Sequence, residues 1–595
     1  MPRFLDVEHR RALRLENAYV PVCCLPQNTP VPNTTIDSLA LVDIEIADGF
    51  VTGIFATGVR PIYSDAHSGI VNMRHGMVLP TFVDLHTHID KAQTGERSRN
   101  IDGTLSGADR STASDAEFWN QEDVYRRMDF SLKCAYAHGT SAVRTHLINM
   151  APKQIQLTWP CFQLLKEKWK GKVELQGVSL VVLSFFRDLE AATELANTVA
   201  AAGGIMGAAV CCAENGGDPN DDWTTCDRDR DMLLDRLLTW GIIAPGMAMH
   251  AGCLIVRCCF SAATIFTLAK ERNLDLDFHV DENGNEKAKG LLYIARKTIQ
   301  HGYQGRVVCG HCCSLCYQSP KDLEVTMEAT REAGITVVAL PLVNQWTQDR
   351  DQKGQRTPRW RGVTLLHELR SHGIPVAIAS DNTRDQFYAY GDLDMLEVFN
   401  QACRMAHLDR PYQDWALTVG SVPADAMRLP QHGRIAPRLP ANLVLFKGRG
   451  YSELLARPQW DRVVLRNGVP IDAEVPDYRE LDTVPNERRY TADQPVLTLG
   501  PADPPSNPPR SPSSGSMTSN DAAFSKQSPL DEKDNVIAAL NAKVSSAANQ
   551  VMRSSSNIRI GWWVVLANSM VVVCAAVLAV RYFGSTEEQL DSVAT

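Results

Sequence analysis

The chain lacks two features that would each have indicated a class of protein. It has no excess of positive charge: 60 lysines and arginines face 69 acidic residues, for a formal net charge of −9. We therefore expect no nucleic-acid partner, because general attraction to phosphate needs basic surface. It also begins without the continuous apolar core of a secretory signal. A reducing compartment is then expected, in which the 16 cysteines stay free thiols.

A long uncharged stretch, IGWWVVLANSMVVVCAAVLAV, lies at 560–580. At 1.5 Å per residue it would cross about 30 Å of hydrocarbon. It predicts a transmembrane helix over 558–582, a disordered Pro/Ser-rich tether over 484–557 and a short tail over 583–595. Because arginines precede the span, we expect a single-pass, tail-anchored membrane protein with its catalytic part in the cytosol. A buried helix of a soluble domain is the alternative.

Before the tether, apolar runs alternate with longer helical stretches, several of which end at glycine. This rhythm predicts an α/β fold, a parallel (β/α)8 TIM barrel over 76–430; an open doubly wound sheet is the alternative. The eight runs, in chain order, are GMVLPTFVDLH (76–86), SAVRTHL (141–147), VELQGVSLVVL (173–183), GIMGAAVCC (204–212), DLDFHV (275–280), RVVCGHC (306–312), ITVVALPLV (335–343) and PVAIAS (375–380).

The flanks of this region have a different pattern. Short alternating strands and turns, such as LALVDIEIADGFVTGIF and NLVLFKGRG, occur on both sides. They predict one small β-sandwich domain built from 1–75 and 431–480 together.

Metal-binding residue types stand where the runs end. His86 and His88 close run one as H-x-H, His279 is near the end of run five, His311 near the end of run six, and Asp381 follows run eight. In a barrel the C-terminal ends of all strands meet at one mouth, so these five residues should converge. Histidine and carboxylate are ligands of divalent metals.

A carboxylate follows one of these histidines closely. Glu282 lies three residues after His279, in HVDEN. A divalent metal lowers the pKa of a bound water toward about 7. A nearby carboxylic acid can move that proton to a substrate nitrogen. The alternative for Glu282 is an ordinary solvated carboxylate.

The motifs LPTFVDLHTHIDKAQTG, VRTHL, HVDEN, GHCCSL, LPLVN and ASDNTRDQFYAYGDLDML together resemble the cytosine-deaminase-like branch of the amidohydrolase superfamily. The resemblance, over about 11–475, implies a barrel with a small β-sandwich and one divalent metal, Zn²⁺ or Fe²⁺. It implies that His86, His88, His279 and Asp381 bind the metal. Glu282 would be the proton shuttle, and His311 with Asp381 would position the water.

The resemblance implies a mononuclear aminohydrolase that deaminates a small nitrogen heterocycle, such as cytosine, through a metal-activated water and releases ammonia. Run four has no Lys or Glu to bridge a second metal. The chain also lacks any H-x-E, so the other deaminase fold, which uses H-x-E with a later P-C-x-x-C, is excluded.

Three departures from cytosine deaminases leave the substrate open: Val182 replaces a glutamine, Asn382 an aspartate, and Lys91 an uncharged residue. A pterin, a triazine, or an N-alkyl or cyclic amide remains an alternative. An inactive, membrane-tethered interaction protein is the alternative of another class, and a homo-oligomer is compatible with the sequence. The residues that we expect to contact substrate are Lys91, Asn382, Arg384 and Phe387.

The stretch VVCGHCCSLC (307–316) contains two C-x2-C pairs. That spacing is typical of a zinc clamp. On a strand, however, Cys309 and Cys312 would point to opposite faces. We therefore expect these thiols to pack in the barrel wall, with His311 as the functional residue.

Overall fold

The computed structural model describes residues 3–31, 34–59, 68–210, 254–351 and 354–482. The predicted tether, transmembrane helix and tail lie outside these ranges. One compact unit, Met1–Gln494, contains all the described residues.

Eight parallel strands occupy the central part of the chain. They form a ladder of three, β6-β7-β8, and a ladder of five, β9-β10-β11-β12-β13. Their bounds are Phe82–Thr87 (β6), Thr140–Ile148 (β7), Glu174–Leu180 (β8), Met206–Val210 (β9), Leu276–Val280 (β10), Val307–His311 (β11), Thr336–Ala339 (β12) and Val376–Ile378 (β13).

Isolated parallel bridges join the two ladders on both sides. The bridges are Val178–Ile205 and Val182–Ala209 at one junction, and Thr87–Asp381 at the other. All nine residues of β7 are buried, as expected for a parallel strand covered on both faces. One buried cluster lines a common face of several strands and includes Val83, Ala142, Val308, Val338 and Ala377.

Helices follow most of these strands. Typical capping explains where they begin: the Ser319 side chain accepts a hydrogen bond from the backbone N–H of Asp322, and Pro320 opens the helix. The α-helices within the described ranges are Leu105–Ala116, Gln121–Ala137, Pro152–Trp169, Leu189–Ala201, Leu254–Glu271, Gly290–Gln300, Pro320–Glu332, Pro341–Thr347, Leu366–Ser371, Met395–Ala406, Ser421–Ala426 and Tyr451–Leu455.

Two four-stranded sheets come from the flanks, in the orders β3-β2-β1-β4 and β16-β15-β14-β5. The second sheet joins both ends of the folded part, because β5 pairs antiparallel with β14. The two sheets share a buried core that includes Leu15, Ile44, Leu443 and Leu465. The strands are Ala12–Pro21 (β1), Leu39–Ala47 (β2), Phe50–Ala56 (β3), Ser68–Asn72 (β4), Val78–Pro80 (β5), Leu443–Leu445 (β14), Val463–Arg466 (β15) and Val469–Pro470 (β16).

Two of the apolar runs are not continuous strands. Run one divides: Val78–Pro80 pairs with β14, whereas Phe82–Thr87 enters the parallel ladder. Run seven ends as a strand at Ala339, because Pro341 occupies the first turn of the next helix, where its missing N–H costs nothing. Pro341 therefore explains why the strand of run seven ends where it does.

The membrane prediction needs correction. Within the ranges that the structure describes, no helix is both long and apolar enough to cross a membrane. The two longest, Pro152–Trp169 and Leu254–Glu271, contain both acidic and basic residues, which are costly in hydrocarbon. This finding overturns the predicted single-pass, tail-anchored membrane location. The segment 558–582 lies outside the described residues.

Candidate metal centre and active site

Three of the predicted histidines meet at one point. His86 is in β6, His88 follows directly after it, and His279 is in β10. The Nε2 atom of His279 lies 3.2 Å from that of His86 and 3.1 Å from that of His88. The three imidazoles therefore turn the same ring atom toward a shared centre.

The donor set fits a divalent cation. Two nitrogens bound to one ion at about 2.1 Å lie roughly 3.0–3.4 Å apart, which is the spacing found here. Both carboxylate oxygens of Asp381 are buried beside these nitrogens without a hydrogen-bond partner. Buried polar atoms are nearly always paired, so carboxylate oxygens in this setting also fit a cation. This is a His-rich metal site.

Asp381 is held against the same histidines. Its Oδ1 lies 3.1 Å from His88 Nε2 and 3.7 Å from His86 Nε2. The backbone fixes it twice, because Asp381 N–H donates to His86 O at 2.8 Å and His88 N–H donates to Asp381 O at 3.1 Å. Its φ of 64° is left-handed, a conformation that non-glycine residues keep mainly where the surroundings impose it.

His311 stands beside this group in a fixed tautomer. Asn344, on the helix after β12, donates from Nδ2 to His311 Nδ1 at 2.9 Å. With Nδ1 accepting, the ring carries its proton on Nε2, which lies 3.6 Å from Glu282 Oε2 and 4.0 Å from Asp381 Oδ2. His311 therefore presents an N–H toward both carboxyl groups.

Glu282 faces the centre from the turn after β10. Its side chain keeps 16% of its surface exposed, and its Oε1 has no hydrogen-bond partner. Gln348 Nε2 donates to the Glu282 backbone carbonyl at 3.2 Å and fixes the turn. The carboxyl group is therefore positioned but free to exchange a proton with a bound molecule.

Burial sets the protonation states. Burial lowers the pKa of His86, His88 and His279 well below the usual value, and neighbouring imidazoles and, for His88 and His279, Lys91 lower it further. The neutral rings are the form that binds a metal. Burial, with help from Asp381, raises the pKa of Glu282 well above its usual value. These surroundings therefore favour the protonated form of the carboxyl group.

The four residues expected to contact substrate have different partners in the structure. Lys91 is 3% exposed, and its ammonium lies 3.5 Å from the centre of the Phe387 ring. The Asn382 amide donates to Asp385 at 2.7 Å. Arg384 donates to Gln93 at 3.1 Å, and its guanidinium lies 4.2 Å from the centre of the Tyr478 ring. Each of the four side chains therefore has a partner within the protein, and their contact with substrate stays a prediction.

One histidine of the cluster was not selected from the sequence. His146, in β7, is fully buried, and its ring centre lies 4.0 Å from that of His86. It belongs with His86, His88 and His279 to one group whose ligand atoms all lie within 4.8 Å of one another. It ends run two in VRTHL, so the strand-end rule used for the other histidines could have found it.

The cysteines of VVCGHCCSLC do not form a metal clamp. Cys309, Cys312 and Cys313 are buried free thiols, and Cys316 is exposed. In the part of the chain that the structure describes, no group of residues suited to a metal includes a cysteine. The expected packing role is confirmed for the three buried thiols.

Comparison with known proteins assigns the family. A model described as "Amidohydrolase family" matches residues 225–471. A protein of Rhizobium rhizogenes described as a pterin deaminase is 42% identical over 482 residues, which cover 81% of this chain and 98% of that protein. The chain belongs to the amidohydrolase family.

Two more distant proteins are also similar to the chain. An N-isopropylammelide isopropyl amidohydrolase of Pseudomonas sp. is 24% identical over 332 residues, or 55% of this chain and 68% of that protein. The crystal structure of 5-methylcytosine deaminase from Klebsiella pneumoniae, liganded with 5-fluorocytosine, superposes with a TM-score of 0.58 at 18% identity. That alignment covers 78% of this amidohydrolase and 98% of the other chain. The superposition on 5-methylcytosine deaminase shows a shared fold.

Proposed function

We propose that this protein is a metal-dependent aminohydrolase that removes the amino group of a pterin-like heterocycle and releases ammonia. The observation that carries the proposal is the convergence of His86, His88, His279 and Asp381, with Glu282 beside them. The relative at 42% identity, described as a pterin deaminase, supports the pterin ring over cytosine.

We assign the metal to the three histidines and Asp381, as a single Zn²⁺ or Fe²⁺. When bound, such an ion would lower the pKa of a water molecule bound to it and polarise the groups attached to the reacting ring carbon of the substrate. Glu282 then takes a proton from the attacking water and gives it to the departing nitrogen. His311, through Nε2–H, and Asp381 orient the water. Water adds at the ring carbon, and the bond from that carbon to the amino group breaks. One water proton leaves with the amino nitrogen as ammonia, and the other ends on the neighbouring ring nitrogen, so the products are a ring carbonyl beside an N–H and ammonia.

We assign substrate contact first to Lys91 and Phe387. A buried ammonium over an aromatic face is a strong cation–π contact, and it leaves N–H donors for a ring carbonyl or nitrogen. Asn382 is a weaker candidate because Asp385 already accepts from its amide. Arg384 is also a weaker candidate, because its guanidinium already donates to Gln93 and stacks on Tyr478.

The domain assignment is also a proposal. The bridges on both sides of the two parallel ladders support closure into a (β/α)8 barrel over 76–430. The shared core of the two flanking sheets supports a composite β-sandwich from 1–75 and 431–480. Self-association into a homo-oligomer stays a prediction.

A substrate panel with purified full-length protein tests the proposal. Pterin, cytosine and N-isopropylammelide are each incubated in H2¹⁸O, and ammonia, isopropylamine and ¹⁸O in the product are measured. We expect ammonia and ¹⁸O incorporation with pterin. Ammonia from cytosine alone would contradict the pterin assignment, and isopropylamine release would favour the second candidate, hydrolysis of an N-alkyl amine, which the Pseudomonas relative suggests. A protein without bound metal and without any product would favour an inactive interaction protein.

A further inference from the structure

A fully buried ion pair lies next to the metal-binding side chains and has no part in the chemistry described above. Arg144, in β7, donates from Nη1 to Asp277 Oδ2, in β10, at 2.9 Å. Both side chains are 0% exposed. A buried pair of this kind is costly to desolvate, so its presence calls for a reason beyond stability.

The pair lies one layer below the histidines. Arg144 precedes His146 by two residues on β7, and Asp277 precedes His279 by two residues on β10. Side chains two positions apart on a strand point to the same face, about 7 Å apart along it. The ion pair therefore lies directly beneath the layer of side chains that contains His146 and His279, and supports it.

The guanidinium is held by several further bonds. Arg144 Nε and Nη2 donate to Gln176 Oε1 at 3.1 and 2.9 Å, and Nη2 donates to Ala426 O at 3.2 Å. Gln176 is itself fixed, because its amide donates to Met427 O at 2.8 Å. The position of the Arg144 charge is thus set by three acceptor groups: the Asp277 carboxylate, the Gln176 amide and the Ala426 carbonyl.

The second oxygen of Asp277 faces His146. Its Oδ1 lies 3.2 Å from His146 Nε2, a close contact between two buried atoms that do not form a hydrogen bond with each other. The His146 ring in turn packs against His86, with centres 4.0 Å apart, and edge-on to His279 at 4.7 Å. One carboxylate thus contacts both the buried cation and the ring that packs on two metal-binding histidines.

We propose that Arg144, Asp277 and His146 form a buried positioning unit for the metal centre. Asp277 cancels the guanidinium charge beneath the cation, and it holds the imidazole of His146 against His86. The inference rests on the proposed metal site and is independent of the identity of the heterocycle.

Removing one charge of the pair should have the opposite effect on Zn²⁺ affinity from removing the other. This difference distinguishes the proposed role from simple structural support. Asp277→Asn leaves an uncompensated cation below the metal, so Zn²⁺ should bind about 10–100-fold more weakly, the range typical for groups that orient metal ligands. Arg144→Gln removes the cation and leaves a carboxylate, so Zn²⁺ should bind as tightly as in the wild type or more tightly. A purely structural pair would give weaker binding in both variants.

The experiment measures the Zn²⁺ dissociation constant of the full-length protein by competition with a chromophoric chelator, and the Co²⁺ absorption spectrum and thermal midpoint of each variant. Asp394→Asn is the matched control, because Arg462 donates to Asp394 at 2.8 and 2.6 Å in a pair that is also largely buried. It should lower the thermal midpoint without changing Zn²⁺ affinity or the Co²⁺ spectrum.

Equal Zn²⁺ affinity in Asp277→Asn and the wild type would overturn the inference, as would an equal loss in Asp394→Asn. If Asp277→Asn does not fold, Arg144→Gln decides: weaker Zn²⁺ binding there overturns the proposal, and unchanged or tighter binding supports it. A wild-type protein that binds no Zn²⁺, Co²⁺ or Fe²⁺ would instead contradict the proposed function itself.

Discussion

The substitution Glu282→Gln gives the sharpest test of the proton transfer. Glutamine keeps the size of the side chain and an acceptor oxygen but cannot hold a transferable proton. The surrounding structure should persist, because Gln348 donates to the backbone carbonyl of residue 282 rather than to its side chain. The change therefore removes one chemical property from a site that otherwise keeps its shape.

The size of the effect follows from the role assigned to the carboxyl group. General acid–base catalysis contributes about 10²–10⁴-fold, or roughly 3–5 kcal/mol of the barrier. We expect kcat to fall by that factor while bound metal stays near one equivalent per chain, because the convergent donor groups around His86 do not include Glu282. The assay is ammonia release from pterin, with metal measured by plasma mass spectrometry on the same sample.

A nearby glutamate provides the control. Glu286 lies on the same turn and is exposed, so Glu286→Gln should leave both turnover and metal content unchanged. Turnover of Glu282→Gln within threefold of the wild type would refute the proton-shuttle role. Loss of metal from that variant would instead make Glu282 a ligand and refute the proposed donor set.

Two further changes test the surroundings of the site and of the fold. Asn344→Leu removes the donor to His311 Nδ1 and frees the other tautomer, so kcat should fall about tenfold or more with metal retained; a normal kcat would show that the tautomer is not fixed by this bond. Burial lowers the pKa of His432 to about 4, so the folded state resists protonation while the unfolded state takes up a proton below about 6.5. The stability that this neutral residue contributes is therefore lost as pH falls. Between pH 7 and pH 5, the free energy of unfolding of His432→Gln, measured in urea, should rise by roughly 2 kcal/mol relative to that of the wild type. A difference between the two proteins that does not change with pH would contradict this.

The sequence was most informative where strand ends and polar residues coincide. His86, His88, His279, His311 and Asp381 could be grouped before the structure, because carboxyl ends of parallel strands meet whatever the distance along the chain. The strand boundaries were harder to predict from the sequence. Only pairing with β14 decides that Val78–Pro80 leaves the parallel ladder, and such a partner far along the chain gives no local signal.

The residues missed by sequence reasoning act through other side chains. Arg144 and Asp277 lie inside apolar runs, where a buried polar residue resembles an ordinary interruption of the strand pattern. Their significance comes from contacts between β7 and β10, which are separated by about 130 residues, as in the bond from Arg144 to Asp277. Only the three-dimensional pairing of strands reveals such contacts.

The unpaired atoms of the site also connect metal binding to folding. The Nε2 atoms of His86 and His88 each lie within 3.2 Å of His279 Nε2, and both buried oxygens of Asp381 lack a hydrogen-bond partner, so a cation bound among them would pair these groups. A ligand that binds only the folded chain stabilises it by RT ln(1 + [L]/Kd), about 4 kcal/mol at a thousandfold excess over Kd. A cation that binds where the fold brings these groups together should therefore raise the thermal midpoint of the folded chain.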